Sequence, residues 1–234
     1  LPISISSVED TIAKVILLRP DRIAFYGYAH VPWIKAGQRR FTENDLPSGD
    51  EKRALYERGR ELLEQAGYRE IGMDHFALET DSLYTASQDK TLHRNFMGYT
   101  ARNVSPIIAL GVSSIGDAWS AFAQNEKLLE TYVDRVNKGE IPIYRGHVLN
   151  EEDLILRKHI LNLMTTLQTD WGKPDLTTPY LSDLEHRLTE LEKDGLLKLS
   201  DHRCTVTEEG RAFLRNVCIP KILDVQKGGK DGQQ

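Results

Sequence analysis

Cysteine is scarce in this chain: two occur in 234 residues, Cys204 and Cys218. Their spacing excludes a CxxC redox or metal pair, and they read as two buried, reduced thiols. Long apolar runs are missing as well. The longest largely apolar stretches, residues 12–18 and 107–112, are far shorter than the roughly 20 residues that cross a bilayer. The opening Leu-Pro-Ile-Ser-Ile-Ser-Ser lacks the basic region and apolar run of a secretory signal, so a cytoplasmic protein is expected. Positive charge is not in excess. The net charge of −5 argues against broad nucleic-acid contact but leaves room for an anionic ligand held by a few local arginines. What is present, 40% hydrophobic and 28% charged residues, is ordinary for a folded domain and excludes disordered and collagen-like classes.

Along the first 149 residues, helical and strand-like patterns alternate. Ser6 and Glu9 have capping-box spacing ahead of Ile12, Val15 and Ile16, with Pro20 closing the helix. Residues 22–28 and 68–75 read as strands, 50–66 as a charged helix ended by Gly67, and 81–90 as a short helix. Residues 106–112, nearly all apolar, read as a strand buried on both faces. Residues 125–138 follow as a helix and 142–148 as a last strand. Such alternation predicts an α/β fold with a partial parallel sheet. Three confident strands are too few to close a barrel, and the expected explanation is a missing upstream half.

The rhythm changes at Asn150. Helix, helix, hairpin and helix over residues 150–226 predict a mainly helical, winged-helix-like domain, and residues 227–234 a disordered tail. A transcription regulator is the binding-module alternative. Residues 180–198, however, carry five acidic against three basic side chains, the wrong sign for approaching phosphates.

Unusual residues gather where strands of a parallel sheet would end. Tyr28-Ala29-His30 follows the first strand, Gly72-Met73-Asp74-His75 ends the second, and Gly111-Val112-Ser113-Ser114-Ile115 ends the third. Between the last two lies His93-Arg94-Asn95-Phe96-Met97-Gly98-Tyr99-Thr100, dense in donors and aromatics and without helix or strand periodicity. These segments are expected to converge on one rim. A metal-hydrolase site built from His30, Asp74, His75 and His93 is disfavoured, because no His-x-His pair and no second acidic ligand accompany them.

Together, Tyr28-Ala29-His30-x-Pro32, Gly72-Met73-Asp74-His75-Phe76-Ala77 and His93 to Thr100 resemble the oxygen-independent coproporphyrinogen III oxidases. Gly111-Val112-Ser113-x-Ile115, Thr207-x-x-Gly210-Arg211 and Arg215-Asn216-x-Cys218 carry the resemblance further. It runs in register from about Asp21 to Cys218. The resemblance implies a radical S-adenosylmethionine enzyme with an incomplete TIM-like barrel. Such enzymes convert two propionates of coproporphyrinogen III to vinyl groups, giving protoporphyrinogen IX for haem synthesis.

The resemblance also implies two S-adenosylmethionine molecules, a four-iron four-sulfur cluster and an electron donor that reduces it. The family holds the cluster on a Cys-x3-Cys-x2-Cys motif. No such motif occurs here, so the chain is expected to be the carboxyl-terminal half, colourless and inactive alone. Carried over by position, Ala29 and Ile115 match contacts to the first S-adenosylmethionine, and Phe96 and Met97 contacts to the second. Met97 departs from the family's common glutamine, and a thioether lacks the amide's donors. Ala101 stands where threonine is frequent. For the propionates, Arg94 is the first candidate, with His75 and the loop residue Arg39 behind it. A guanidinium can grip a carboxylate through two parallel bonds. The competing roles are an Arg94–Asp74 ion pair and a solvated Arg39. A silent or haem-chaperone paralogue is the remaining alternative.

Overall fold

A computed structural model describes residues 4–171 and 179–218. The expected tail at 227–234 lies outside them. The chain divides into two compact units, Leu1–Asp89 and Lys90–Gln234.

In the first unit, helix α1 (Ile5–Leu18) starts two residues earlier than the Ser6–Glu9 spacing suggests. Ser4 Oγ accepts from the Ser7 amide and Ser7 Oγ accepts from the Ser4 amide, closing the box on serines. Strand β1 (Arg22–Ala24) follows. A long loop leads to α2 (Gly49–Gln65), whose Ser48 cap and Glu51 form a second box. Gly67, at φ +90°, lets the chain turn out of α2. Helices α1 and α2 pack together, and Val8, Ile12, Leu63, Tyr68, Phe76 and Leu78 form the buried core. Tyr68 is fully buried, and its hydroxyl donates to the Pro20 carbonyl at 2.7 Å. Burial of each such side chain contributes about 1.5–3 kcal/mol.

Residues 68–75 are not one strand. Met73, at φ 49°, and Asp74 reverse the chain between β2 (Tyr68–Gly72) and β3 (His75–Leu78), and β1 pairs with the far side of β3. Both pairings are antiparallel. Helix α3 (Ser82–Gln88), capped by Asp81, closes the unit.

The second unit opens with a hairpin of β4 (His93–Asn95) and β5 (Gly98–Thr100), correcting the expectation of an aperiodic loop there. Next come β6 (Ile115–Asp117), β7 (Ala121–Asn125), helix α4 (Leu129–Asn137) and β8 (Ile143–Val148), with the three strands in the antiparallel order β6-β7-β8. Asn150 caps α5 (Glu151–Thr166), so the change of rhythm falls inside this unit. Strand β9 (Gln168–Asp170), α6 (Pro179–Lys193), the hairpin β10 (Leu197–Ser200) and β11 (Arg203–Val206), and α7 (Glu208–Arg211) complete it. Strand β11 lies between β10 and β9, antiparallel to both.

Residues 106–112 are the clearest departure from expectation. They form no strand, joining the sheet's backbone ladder through a bridge from Ile107 to Asp117, and Ile108 and Leu110 are exposed. The carbonyls of Ala109 and Gly111 accept from the side-chain amide of buried Asn125, so a side chain occupies acceptors that a neighbouring strand would use. Every ladder between named strands is antiparallel. Among the described residues the expected partial parallel sheet therefore does not form. Alternation identifies strands, but turns such as Met73-Asp74 set their direction.

Candidate functional site

In the second unit, the β4–β5 hairpin, the β6–β7 strands and helix α5 surround a cleft of about 640 Å³. Asn95 and Gly98 face each other across the hairpin, and Phe96-Met97 form its two-residue tip. The Asn95 carboxamide oxygen accepts from the Met97 amide at 2.9 Å, and Gly98 takes φ +126°. An Asn-x-x-Gly turn signal lay in the sequence all along. Phe96 and Met97 are thereby held out in solvent, and the Phe96 ring packs nearly perpendicular to Phe122 at 5.0 Å between centroids.

Arg94 stands directly opposite Tyr99 in the ladder, and its guanidinium lies over the Tyr99 ring at 4.6 Å. The Tyr99 hydroxyl donates to the Met164 carbonyl of α5 at 2.8 Å, fixing that ring. Arg94 forms no ion pair among the described residues. The side chain is among those lining the cleft, and its Nη1 is buried without a hydrogen-bond partner. A buried guanidinium nitrogen left without an acceptor is costly, and an anion entering the cleft would relieve it.

Arg157, on α5, behaves differently. It grips both carboxylate oxygens of Asp117, at 3.0 and 2.6 Å, and donates to the Trp119 carbonyl at 2.9 Å. Its guanidinium is stacked on Trp119 at 4.4 Å and on Phe122 at 4.8 Å. The two charged side chains are only 11% and 8% exposed. Nearby, burial together with the Arg157 charge pulls His93 below the ordinary histidine range, with Asp117 pulling the other way. Asp153, at the start of α5, pairs with His147 at 3.0 Å and accepts from the Asn150 amide. The rest of the cleft wall is largely apolar, with Leu156, Ile160 and Met164 among its residues. Sequence reading missed Asp117, Phe122 and Arg157. Nothing local links residues 40 positions apart.

Ile115 opens β6 opposite Gln124, half-buried, and does not line the cleft. The remaining expected residues belong to the first unit. Ala29 lines a smaller cleft of about 370 Å³, together with Phe25, Tyr28, Gln38, Lys52 and Tyr56. Gln38 braces that loop, accepting from the Val31 amide and donating to the Ala29 carbonyl. Burial, then the neighbouring Glu70 charge, raises the Tyr56 hydroxyl above its usual range. His75 begins β3 opposite Ala24, and Arg39 is exposed and donates to the Pro32 carbonyl.

No family model matches the chain. The oxygen-independent coproporphyrinogen III oxidase of Thermostichus vulcanus is 39% identical in an alignment that covers 98% of this chain and 72% of that protein. This chain belongs to the oxygen-independent coproporphyrinogen III oxidase family. Family members from Helicobacter pylori and Escherichia coli are 36% and 35% identical, each matched over 89% of this chain and 47% of their own length. The chain thus spans about half the length of these curated relatives. The solved structure of the Escherichia coli coproporphyrinogen III oxidase, described as a radical S-adenosylmethionine enzyme, superposes with a TM-score of 0.84 at 34% identity. That match covers 94% of this chain and 52% of the other.

The groups implied by the family fit this chain unequally. Cys204 and Cys218 are both buried, and among the described residues no three His, Cys, Asp or Glu side chains stand together as metal ligands. The residues present do not fit an iron–sulfur cluster. The exposed Phe96 ring, set perpendicular to Phe122, does suit stacking with a flat heteroaromatic such as adenine. No helix among the described residues is long and apolar enough to cross a membrane.

Proposed function

We propose that the cleft between the β4–β5 hairpin and α5 receives a propionate-bearing edge of coproporphyrinogen III. The whole protein to which this chain corresponds would then convert two propionates to vinyl groups, giving protoporphyrinogen IX without oxygen. The observation that carries this reading is the buried, unpartnered Nη1 of Arg94 in a largely apolar cleft. A tetrapyrrole offers an apolar body with carboxylates at its rim, and a cleft of this size lies within the usual range for small-molecule sites, about 300–1,000 Å³. Family membership, shown by the relatives above, supports the same substrate.

On this reading Arg94 binds and orients a carboxylate, using its fork for two parallel bonds. The apolar wall excludes water around the macrocycle. Phe96 and Met97 meet an S-adenosylmethionine, Phe96 by stacking and Met97 through its backbone and thioether. That cofactor supplies radical chemistry when bound. Helix α5, the first helix of the winged-helix-like domain expected over residues 150–226, buttresses the cleft.

Two measurements test the proposal. The chain is titrated with coproporphyrin III, the stable oxidised analogue, and with its tetramethyl ester. Preference for the acid is expected, whereas equal affinities remove the propionate assignment. For the reaction, this chain replaces the matching segment of the Escherichia coli enzyme and protoporphyrinogen formation is followed anaerobically. A soluble chimera with an intact cluster but no product would overturn the oxidase reading, and retention of haem in place of coproporphyrin would favour a chaperone paralogue.

A further inference from the structure

Two arginines line the cleft, Arg94 and Arg157, and they differ in how their terminal nitrogens are engaged. Arg157 has both terminal nitrogens engaged: each donates to an Asp117 carboxylate oxygen, one also donates to the Trp119 carbonyl, and the Trp119 and Phe122 rings lie against the guanidinium. Asp117 is equally committed, since its Oδ1 also accepts from the Trp119 amide at 2.9 Å. The cleft's other carboxylate, Asp153, is engaged by His147 and by the Asn150 amide. What remains is a single guanidinium, Arg94, with a buried nitrogen lacking an acceptor.

We infer that the Asp117–Arg157 pair is a charge mask that sets the cleft's specificity, so that the cleft grips one carboxylate at a time. The inference rests on the reading of the cleft as a propionate site and names the residues that determine what it admits. The physical argument concerns cost. In an apolar cleft each entering carboxylate needs a cationic partner, and an unpaired one pays a desolvation penalty. With Arg157 neutralised in place, a second carboxylate entering beside the first finds no partner. A substrate whose propionates react in turn is suited to such a site, because the edge just converted to vinyl loses its hold on Arg94 and a remaining acid replaces it. If Asp117 were absent, Arg157 would be a second cationic anchor lining the same cleft, and the cleft would favour paired carboxylates. Asp117 is therefore a specificity-determining residue and Arg157 a positioning residue.

The mask predicts effects of opposite sign, which a purely structural ion pair does not. Asp117→Asn keeps the shape and the acceptor for the Trp119 amide while unmasking Arg157. Coproporphyrin III should then bind about tenfold more tightly, with a steeper dependence on salt. Arg157→Gln leaves Asp117 as an uncompensated anion in the cleft, and coproporphyrin III should bind about tenfold more weakly. The tetramethyl ester, with the same apolar body and no charge, should bind both variants as it binds the wild-type chain. Fluorescence titration of all three proteins with both ligands reads every arm, and urea midpoints confirm that each variant is folded.

Tighter binding of the acid to Asp117→Asn, with the ester unmoved, is the expected result. Weakening of the acid by both substitutions, or parallel loss of the ester, overturns the mask and makes the pair a structural clamp. Should Arg157→Gln fail to fold, the sign for Asp117→Asn alone decides; should Asp117→Asn fail, Asp117→Ser carries the same sign test. The two readings fail differently. Absence of acid preference in the wild-type chain sinks the propionate site itself, whereas an intact acid preference that Asp117→Asn does not raise sinks the mask alone.

Discussion

Replacing Arg94 by lysine keeps the charge and removes the fork, which makes it a sharp test of the carboxylate role. The guanidinium is already placed. It rests on the Tyr99 ring at 4.6 Å, and Tyr99 is itself held by the 2.8 Å bond to the Met164 carbonyl. Lysine can reach the same ring, so most of the cation–π attraction, about 0.5–2 kcal/mol, should survive. The second parallel bond to the carboxylate cannot survive, and one charge-assisted hydrogen bond in a dry site is worth about 2 kcal/mol, or roughly thirtyfold in affinity. Arg94→Gln, which also removes the charge, should cost more than about a hundredfold. Tyr99→Phe is the control. It keeps the ring under Arg94 and loses the bond to Met164, so stability should fall by about 1 kcal/mol while affinity stays within about twofold. The assay is fluorescence titration with coproporphyrin III, with urea unfolding run on the same proteins. In a chimera that turns over, protoporphyrinogen formation should fall with Arg94→Lys while uncoupled S-adenosylmethionine cleavage changes much less. Equal affinity of the Lys and Arg forms, or a loss with Tyr99→Phe as large as with Arg94→Lys, would refute the reasoning.

Three further outcomes are expected. At Gly210 an added Cβ would collide with the Leu196 backbone carbonyl, and Gly210 also donates its amide to the Thr207 cap, so Gly210→Ala should cost at least about 3 kcal/mol in urea unfolding; a stable variant would show that α7 is free to shift. His93 is held below its ordinary value of 6.5, chiefly by burial, so folding favours its neutral form and the unfolded chain binds the extra proton. The stability it contributes is complete above pH 6.5 and is lost as pH falls towards the depressed value. The urea midpoint should therefore drop more between pH 7.5 and 5.5 in wild type than in His93→Gln, and equal drops would remove His93 as the cause. Anaerobic reconstitution of this chain with iron and sulfide should leave it without a stoichiometric visible chromophore, because two buried thiols fall short of the roughly three to four ligands a cluster needs; a stable cluster would mean that Cys204 and Cys218 serve as ligands.

Family membership was legible in the residues alone, through the strings at 28–32, 72–77 and 93–100, because these combine rare side chains in fixed order. Helices announced themselves where local chemistry marks their ends. Ser48 with Glu51 and Asn150 with Asp153 cap α2 and α5 close to where the pattern placed them, since a cap and its partner lie three residues apart. The β10–β11 hairpin was equally local, its turn residues sitting between two short apolar alternations.

Pairing direction was not local, and there the tertiary structure decided. The same alternation serves parallel and antiparallel strands. A left-handed Met73 and a side chain, Asn125, taking the carbonyls of residues 109 and 111 turned an expected parallel sheet into small antiparallel ones. The site followed the same division. Arg94 and Phe96 stood out as residue types in a dense string, but the sequence holds no record of which cation is neutralised. That distinction depends on Asp117 and Arg157 meeting across 40 residues, and on the β4–β5 ladder laying Arg94 over Tyr99 with one nitrogen unspent. Charge in a protein is free or masked according to what lies within a few ångströms in space, and only the folded chain sets those neighbours.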